Sequence, residues 1–313
     1  AGLGQPLAAQ SLVSPWYPLR WPELALGERL LGLHALASLL LAGLGMGLFL
    51  RSRGHGRPAA VVGAIAYQAS AFALVNLHYG MKVDAALWLP WAWWAIEGVL
   101  ARARFARSAL ALTLGLSCLA GFPPLAFFVL AAAAIYASLR VWRSRALPRA
   151  RALTHLALPI VAGLLLGAIA LLPMAEASSL SLRGARSAAD LFAERLPLAA
   201  ASTLFLPNLF GGPSDGLFAP HNPLAWWLLS AHESGRAMGA NALEWNLHSA
   251  IATLLLACAG LVAAPRRALL PAVGLMITFG FAFGWPVVRL AYGLPGFDLG
   301  APGRVAGLAW AFW

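Results

Sequence analysis

The sequence predicts an all-α, polytopic transmembrane helical bundle, and three observations predict it. Hydrophobic residues make up 61% of the 313 residues and charged residues only 11%, against about 25% charged in an ordinary soluble domain. Mean hydropathy is +0.75, which is more apolar surface than a soluble globule can hide or a disordered chain carries. The apolar residues are gathered in long runs rich in Leu, Ala and Gly, without the alternation of barrel strands, so the runs read as helices.

A helix needs about 20 apolar residues to cross a bilayer. Runs of about that order occupy 30–50, 59–77, 85–101, 108–122, 124–140, 152–175, 246–264 and 268–288, and a ninth starts near Val305. We therefore expect a single transmembrane domain over 1–313, with about eight full spans and the start of another. The chain begins at Ala1 and ends inside an apolar run, with no signal-peptide pattern, and reads as a fragment of a longer protein.

The polar connections fall into two sets that alternate along the chain. One is short and basic: 51–57, 102–107, 140–151 and 265–267, with 13 arginines in all. The other comprises the N-terminal stretch, 78–84, the turn at 121–124, the long loop 177–245 and 289–304, with the remaining nine basic residues. The positive-inside rule puts the first set in the cytoplasm and the second outside. Of the 11 acidic residues, Glu97 alone lies near a cytoplasmic helix end. The net charge of +11 is thus a topology signal, because the cytoplasmic turns carry all of the excess, and nucleic acid is excluded as a partner.

Gly43 with Gly47 and Gly163 with Gly167 form GxxxG pairs, which let helix backbones approach closely. Pro90, Pro159, Pro173, Pro271 and Pro286 are expected to kink or end spans. Among the outer segments, 14–22 mixes Trp, Tyr, Pro and Arg as interfacial segments do. Residues 187–196 and 222–230 in the long loop read as short interfacial helices. Cys118 and Cys258 both lie in apolar runs, so no disulfide framework is expected.

No phosphate loop, dinucleotide fingerprint or HExxH motif occurs. The polar cluster HYGMKVD at 78–84 is the leading candidate site. His78 and Asp84 there could bind a divalent metal or act as general base, and Lys82 could hold a phosphate; the alternative is a solvated interfacial hairpin. Glu176 ends the 152–175 run at the outer boundary, followed by Arg183 and Arg186, and Arg304 opens the last run. Arg304 could bind an anionic headgroup or serve as a plain interfacial anchor.

Seven stretches in order resemble the YfhO-like family of bacterial polytopic membrane proteins, which is similar to the GT-C superfamily of glycosyltransferases. They are GQPLAAQ with the following WYP (4–18), LHALASLLLAGLGMGLFLR (33–51), AAVVGAIAYQASAF (59–72), WLPWAWWAIE (88–97), LPMAEASSLSLR (172–183), PNLFGG (207–212) and LPGFDLGAPGR (294–304). The resemblance implies a GT-C-like bundle in the bacterial cytoplasmic membrane with its site on the outer face. It implies transfer of a sugar from a polyprenyl-phosphate carrier to an extracytoplasmic cell-envelope acceptor. The principal catalytic acid of such enzymes would precede Ala1, and the 78–84 loop would supply a second group. Asp84 and His78 are then expected as metal ligands or base, and Lys82, Glu176, Arg183 and Arg304 as substrate or phosphate contacts. The chain departs from the family's pattern where GHPQ is replaced by GFPP (121–124) and at Gly300. The rival expectation is a non-enzymatic membrane protein: a transporter, lipid flippase or envelope assembly factor.

Overall fold

A computed structural model describes residues 13–77, 80–143, 148–179, 195–207, 209, 247–248, 251–286, 288, 291 and 302–311. All regular structure among them is helical. Three helices are long and apolar enough to cross a membrane: Leu31–Ser52, Pro123–Arg143 and the stretch Arg149–Ala177.

The chain divides into two compact units, 1–68 with 79–184, and 69–78 with 185–313. The first unit holds α1 (Trp21–Leu26), α2 (Leu31–Ser52), α3 (Arg57–Gln68), α5 (Met81–Ala86), α6 (Trp88–Leu100), α7 (Ala106–Leu119), α8 (Pro123–Arg143) and α9 (Arg149–Ser179). The second holds α4 (Ala71–Asn76), α10 (Ile251–Ala263), α11 (Pro265–Ala282) and 3₁₀ turns at Leu198–Leu204 and Pro302–Ala311.

In the first unit α7 packs along α9, α2 along α3, and α6 against α2 and α7. The outward faces match a hydrocarbon solvent. On α2, Leu33, Leu36, Leu40 and Leu44 repeat every three or four residues and are all exposed, while Ser38, Ala42, Gly45 and Met46 are buried. A stripe of this kind is uncovered apolar surface that water would penalise and lipid would not.

The glycine pairs do what their spacing implies. A Cβ on Gly163 would lie 2.8 Å from the Ala111 carbonyl oxygen and 2.9 Å from the Leu114 Cβ. One on Gly167 would lie 2.5 Å from the Cys118 Cβ, and one on Gly43 would collide with the Gln68 side chain. Only at Gly47 are the contacts of ordinary length. Because the obstacle at Gly163 includes backbone, α7 and α9 must move apart to admit a side chain. Gly163→Leu is therefore expected to lower stability by about 1–3 kcal/mol, read as a drop in the unfolding midpoint of purified protein in detergent, with Gly47→Ala close to neutral.

Two expected spans are broken, and the breaks have local causes. The 59–77 run stops at Gln68; Ser70 then caps α4, its side chain accepting from the Ala73 amide. The polar loop expected over 78–84 is corrected: the chain is helical from Met81, and all six residues of α5 are buried. α5 and α6 part at Leu87, and Pro90, the third residue of α6, has no N–H to offer the Ala86 carbonyl four residues earlier. The Tyr67 hydroxyl donates to that carbonyl at 3.0 Å, and the Ser117 hydroxyl donates to the Ala85 carbonyl at 2.9 Å. Pro159 and Pro173 lie inside α9, and Pro271 lies inside α11, without ending either helix.

At the arginine-rich end of this unit, Glu97 accepts from both Nε (2.5 Å) and Nη2 (2.8 Å) of Arg140, from the Tyr136 hydroxyl and from Arg53 at 3.3 Å. Phe49, Trp93 and Tyr136 cluster with ring centroids 5.2–5.7 Å apart. The one acid near the arginine-rich turns thus ties α2, α6 and α8 together.

Within the second unit, the Ala71 amide donates to the His248 carbonyl, the Leu247 amide to the Thr203 hydroxyl, and the Leu196 amide to the Ala282 carbonyl. The last 3₁₀ turn packs on α11. The interfacial helix expected at 222–230, and that at 187–196 except its last two residues, lie outside the described residues. Cys118 and Cys258 are both free thiols.

Candidate functional site

Asp84 is the centre of the polar cluster in the first unit. α5 carries it into the core, where it is 0% exposed. A carboxyl group buried to that degree is costly unless its oxygens are bonded, and both are. Ser38 Oγ donates to Oδ1 at 2.7 Å, and His34 Nε2 lies 2.9 Å from Oδ2. His34 and Ser38 stand four residues apart on α2, so one helical turn brings both to the same face.

The protonation of this unit follows from its partners. His34 Nδ1 lies 3.0 Å from the Leu19 carbonyl oxygen, which can only accept. Nδ1 therefore carries a proton, and a second proton is needed between Nε2 and the Asp84 oxygen. Two protons on the pair leave it neutral overall, whether as imidazolium with carboxylate or as imidazole with carboxylic acid. A neutral unit of this kind is far cheaper to bury than a lone carboxylate.

The N-terminal segment closes over the pair. Tyr17 is 0% exposed and accepts from Trp88 Nε1 at 3.1 Å. Burial pushes its phenol well above the ordinary tyrosine range, and the Asp84 charge adds to the effect, so Tyr17 stays neutral. Gly80 adopts φ +56° immediately before α5. A Cβ there would lie 3.5 Å from an Arg20 guanidinium nitrogen, 3.8 Å from His34 Nε2 and 3.9 Å from Asp84 Oδ2. Gly80 is thus backbone laid directly on the pair, with Arg20 at its edge. Arg20 also pairs with Glu23 at 3.5 Å.

Lys82 is buried two residues before Asp84, its Nζ 5.6 Å from the centroid of the Phe122 ring. That is within cation–π reach. Phe122 belongs to the GFPP turn at 121–124, so that turn's aromatic residue faces a cation. Glu176 lies exposed at the C-terminal end of α9, where Ser179 Oγ donates to its main-chain carbonyl. Arg304 lies in the 3₁₀ turn Pro302–Ala311 of the second unit and is half-buried. His78 and Arg183 lie outside the described residues.

Asp84 and Lys82 are both buried on α5, two residues apart, Lys82 against Phe122 and Asp84 against α2. The sequence reading missed three residues around Asp84: His34, Ser38 and Arg20. A signal for the first two was present. His34 and Ser38 carry the only polar side chains between 31 and 50, and they are four residues apart. Among the described residues no three His, Cys, Asp or Glu side chains come together to hold a metal ion. His34 with Asp84 is a pair of potential ligands already bonded to each other at 2.9 Å, and no chemical step is derived through a metal. Comparison with known proteins found no match: no family model, no curated protein and no solved structure is similar to this chain.

Proposed function

We propose that the chain belongs to a polytopic glycosyltransferase of the bacterial cytoplasmic membrane. It takes a sugar from a polyprenyl-phosphate carrier and passes it to an acceptor in the cell envelope. The arginine-rich turns face the cytoplasm, and the Asp84 cluster faces the outer leaflet. The observation that carries this reading is the sheltered Asp84–His34–Ser38 unit with Arg20 against it; the seven stretches of family resemblance supply the reaction class.

Transfer needs a base for the acceptor hydroxyl and positive charge for the departing phosphate. As the new bond forms from the acceptor oxygen to the anomeric carbon, the bond from that carbon to the phosphate oxygen breaks. The hydroxyl proton passes to the Asp84 carboxylate, and polyprenyl phosphate leaves with one more negative charge. His34 and Ser38 hold the carboxylate in position. Arg20 meets the carrier's phosphate; Lys82, Arg183, Arg304 and Glu176 are the further phosphate and sugar contacts that the family resemblance implies. Asp84 is fully covered, so substrate binding must uncover it.

The test is transfer of labelled sugar from a polyprenyl-phosphate donor to envelope glycan by purified full-length protein. Asp84→Asn and His78→Ala are expected to reduce turnover by about 10²-fold or more, the usual worth of a general base. Unchanged transfer by both variants overturns the site assignment. A second reading, proton-coupled transport, draws on the same buried pair, because protonatable groups inside an apolar helix serve as proton relays. It is separated from the first by proton flux into liposomes that lack any sugar donor. Flux that depends on His34 and Asp84 favours transport.

A further inference from the structure

We infer that the arginine-rich end of the first unit holds a binding site for the phosphate headgroup of an anionic membrane phospholipid. A cavity of about 640 Å³ opens there between the end of α6, the start of α7 and the start of α9. Arg102, Arg107 and Arg151 line it, together with Ser108, His155 and Phe105, and no lining residue is acidic. Glu97, the described carboxylate at this end, is engaged by Arg140, Tyr136 and Arg53. Three guanidinium groups around one cavity repel one another, and an anion among them turns that cost into attraction.

The remaining groups suit a phosphate. A guanidinium can only donate, so His155 Nδ1 accepts from Arg107 at 2.5 Å. The ring proton then sits on Nε2, which is a donor. Arg107 and Ser108 are in the first turn of α7, and the residue at its N-cap, Phe105, offers no side-chain hydrogen bond. The helix start adds its own partial positive charge to that of the arginines.

What points to a lipid is the surface below the cavity. Arg151 and His155 stand on a face of α9 that continues through Leu158, Leu165 and Ile169, which are 65%, 70% and 50% exposed. α9 is one of the three membrane-length helices. A headgroup among the arginines therefore places its acyl chains along exposed leucine and isoleucine. Phe105, 69% exposed with the Arg104 guanidinium 4.6 Å from its ring centroid, has the character of an aromatic anchor at the headgroup level. Basic pockets between helices on the cytoplasmic side take such headgroups.

The test uses the purified full chain in neutral detergent, titrated separately with phosphatidylglycerol, phosphatidylcholine and inorganic phosphate. Retained lipid is read by native mass spectrometry and protection by thermal unfolding. Wild type is expected to retain phosphatidylglycerol and not phosphatidylcholine. The double variant Arg107→Gln/Arg151→Gln is expected to bind phosphatidylglycerol roughly thirtyfold more weakly. Arg266→Gln/Arg267→Gln, which removes equal charge at the start of α11, is expected to bind as wild type does. Equal retention of both lipids by wild type overturns the inference, as does equal weakening in the two double variants. Protection by inorganic phosphate as full as that by lipid overturns the lipid as its source. If Arg107→Gln/Arg151→Gln does not fold, the wild-type comparison of the two lipids and phosphate decides alone.

Discussion

Replacing Asp84 by alanine is expected to lower stability by about 3–5 kcal/mol, the usual result of removing one partner from a buried, hydrogen-bonded pair. The substitution strips His34 Nε2 and the Ser38 hydroxyl of their shared partner at a point that solvent does not reach. Asparagine at the same position is expected to cost far less. Its amide oxygen can accept from Ser38 and its amide nitrogen can donate to His34 Nε2. His34 keeps the single proton on Nδ1 that the Leu19 carbonyl requires. The two variants thus separate structure from chemistry. Thermal unfolding in detergent should rank wild type and Asp84→Asn close together and Asp84→Ala well below, while sugar transfer should fail in both. An alanine variant as stable as wild type would show that the pair is not the buried unit described above.

Glu97→Ala is expected to be the second most damaging change. Three partners converge on its carboxylate from α2 and α8, and its side chain is 11% exposed. Its removal leaves the Arg140 guanidinium and the Tyr136 hydroxyl without their acceptor at the end of the bundle. Charge-assisted bonds of this kind contribute about 1.5–3 kcal/mol each when partly sheltered. A double-mutant cycle between Glu97→Ala and Arg140→Leu should therefore return a coupling of about 1–3 kcal/mol. Arg53→Ala should cost much less, because Arg53 is 35% exposed and 3.3 Å from its partner. Salt at about 1 M should hardly reduce the Glu97–Arg140 coupling, since a sheltered pair is poorly screened.

The helical class and the positions of most helices were legible in the sequence because both depend on local composition. An apolar run bounded by Arg, Gly or Pro becomes a helix between those boundaries, as 31–52, 106–119, 123–143 and 149–179 do. The glycine pairs were legible for the same reason, since a four-residue spacing implies a helix face before any partner is known. Where the reading failed, the deciding contact was distant in sequence. A polar stretch at 78–84 looks like a solvated turn until α2 meets its Asp84. The break at Leu87 is sustained by hydroxyls from Tyr67 and Ser117, which bond the Ala86 and Ala85 carbonyls and to which no local pattern points.

What the sequence determined by itself is the helical character, the membrane-scale hydropathy and the segregation of charge into alternate turns. These follow from the transfer free energies of residues taken run by run. What only the tertiary structure decided is the partnership of the few polar groups left inside. Asp84 finds His34 across 50 residues and Ser38 across 46, and Glu97 finds Arg140 across 43. A buried polar group must be matched within hydrogen-bond reach. Sequence shows which groups need a partner, but packing chooses the partner.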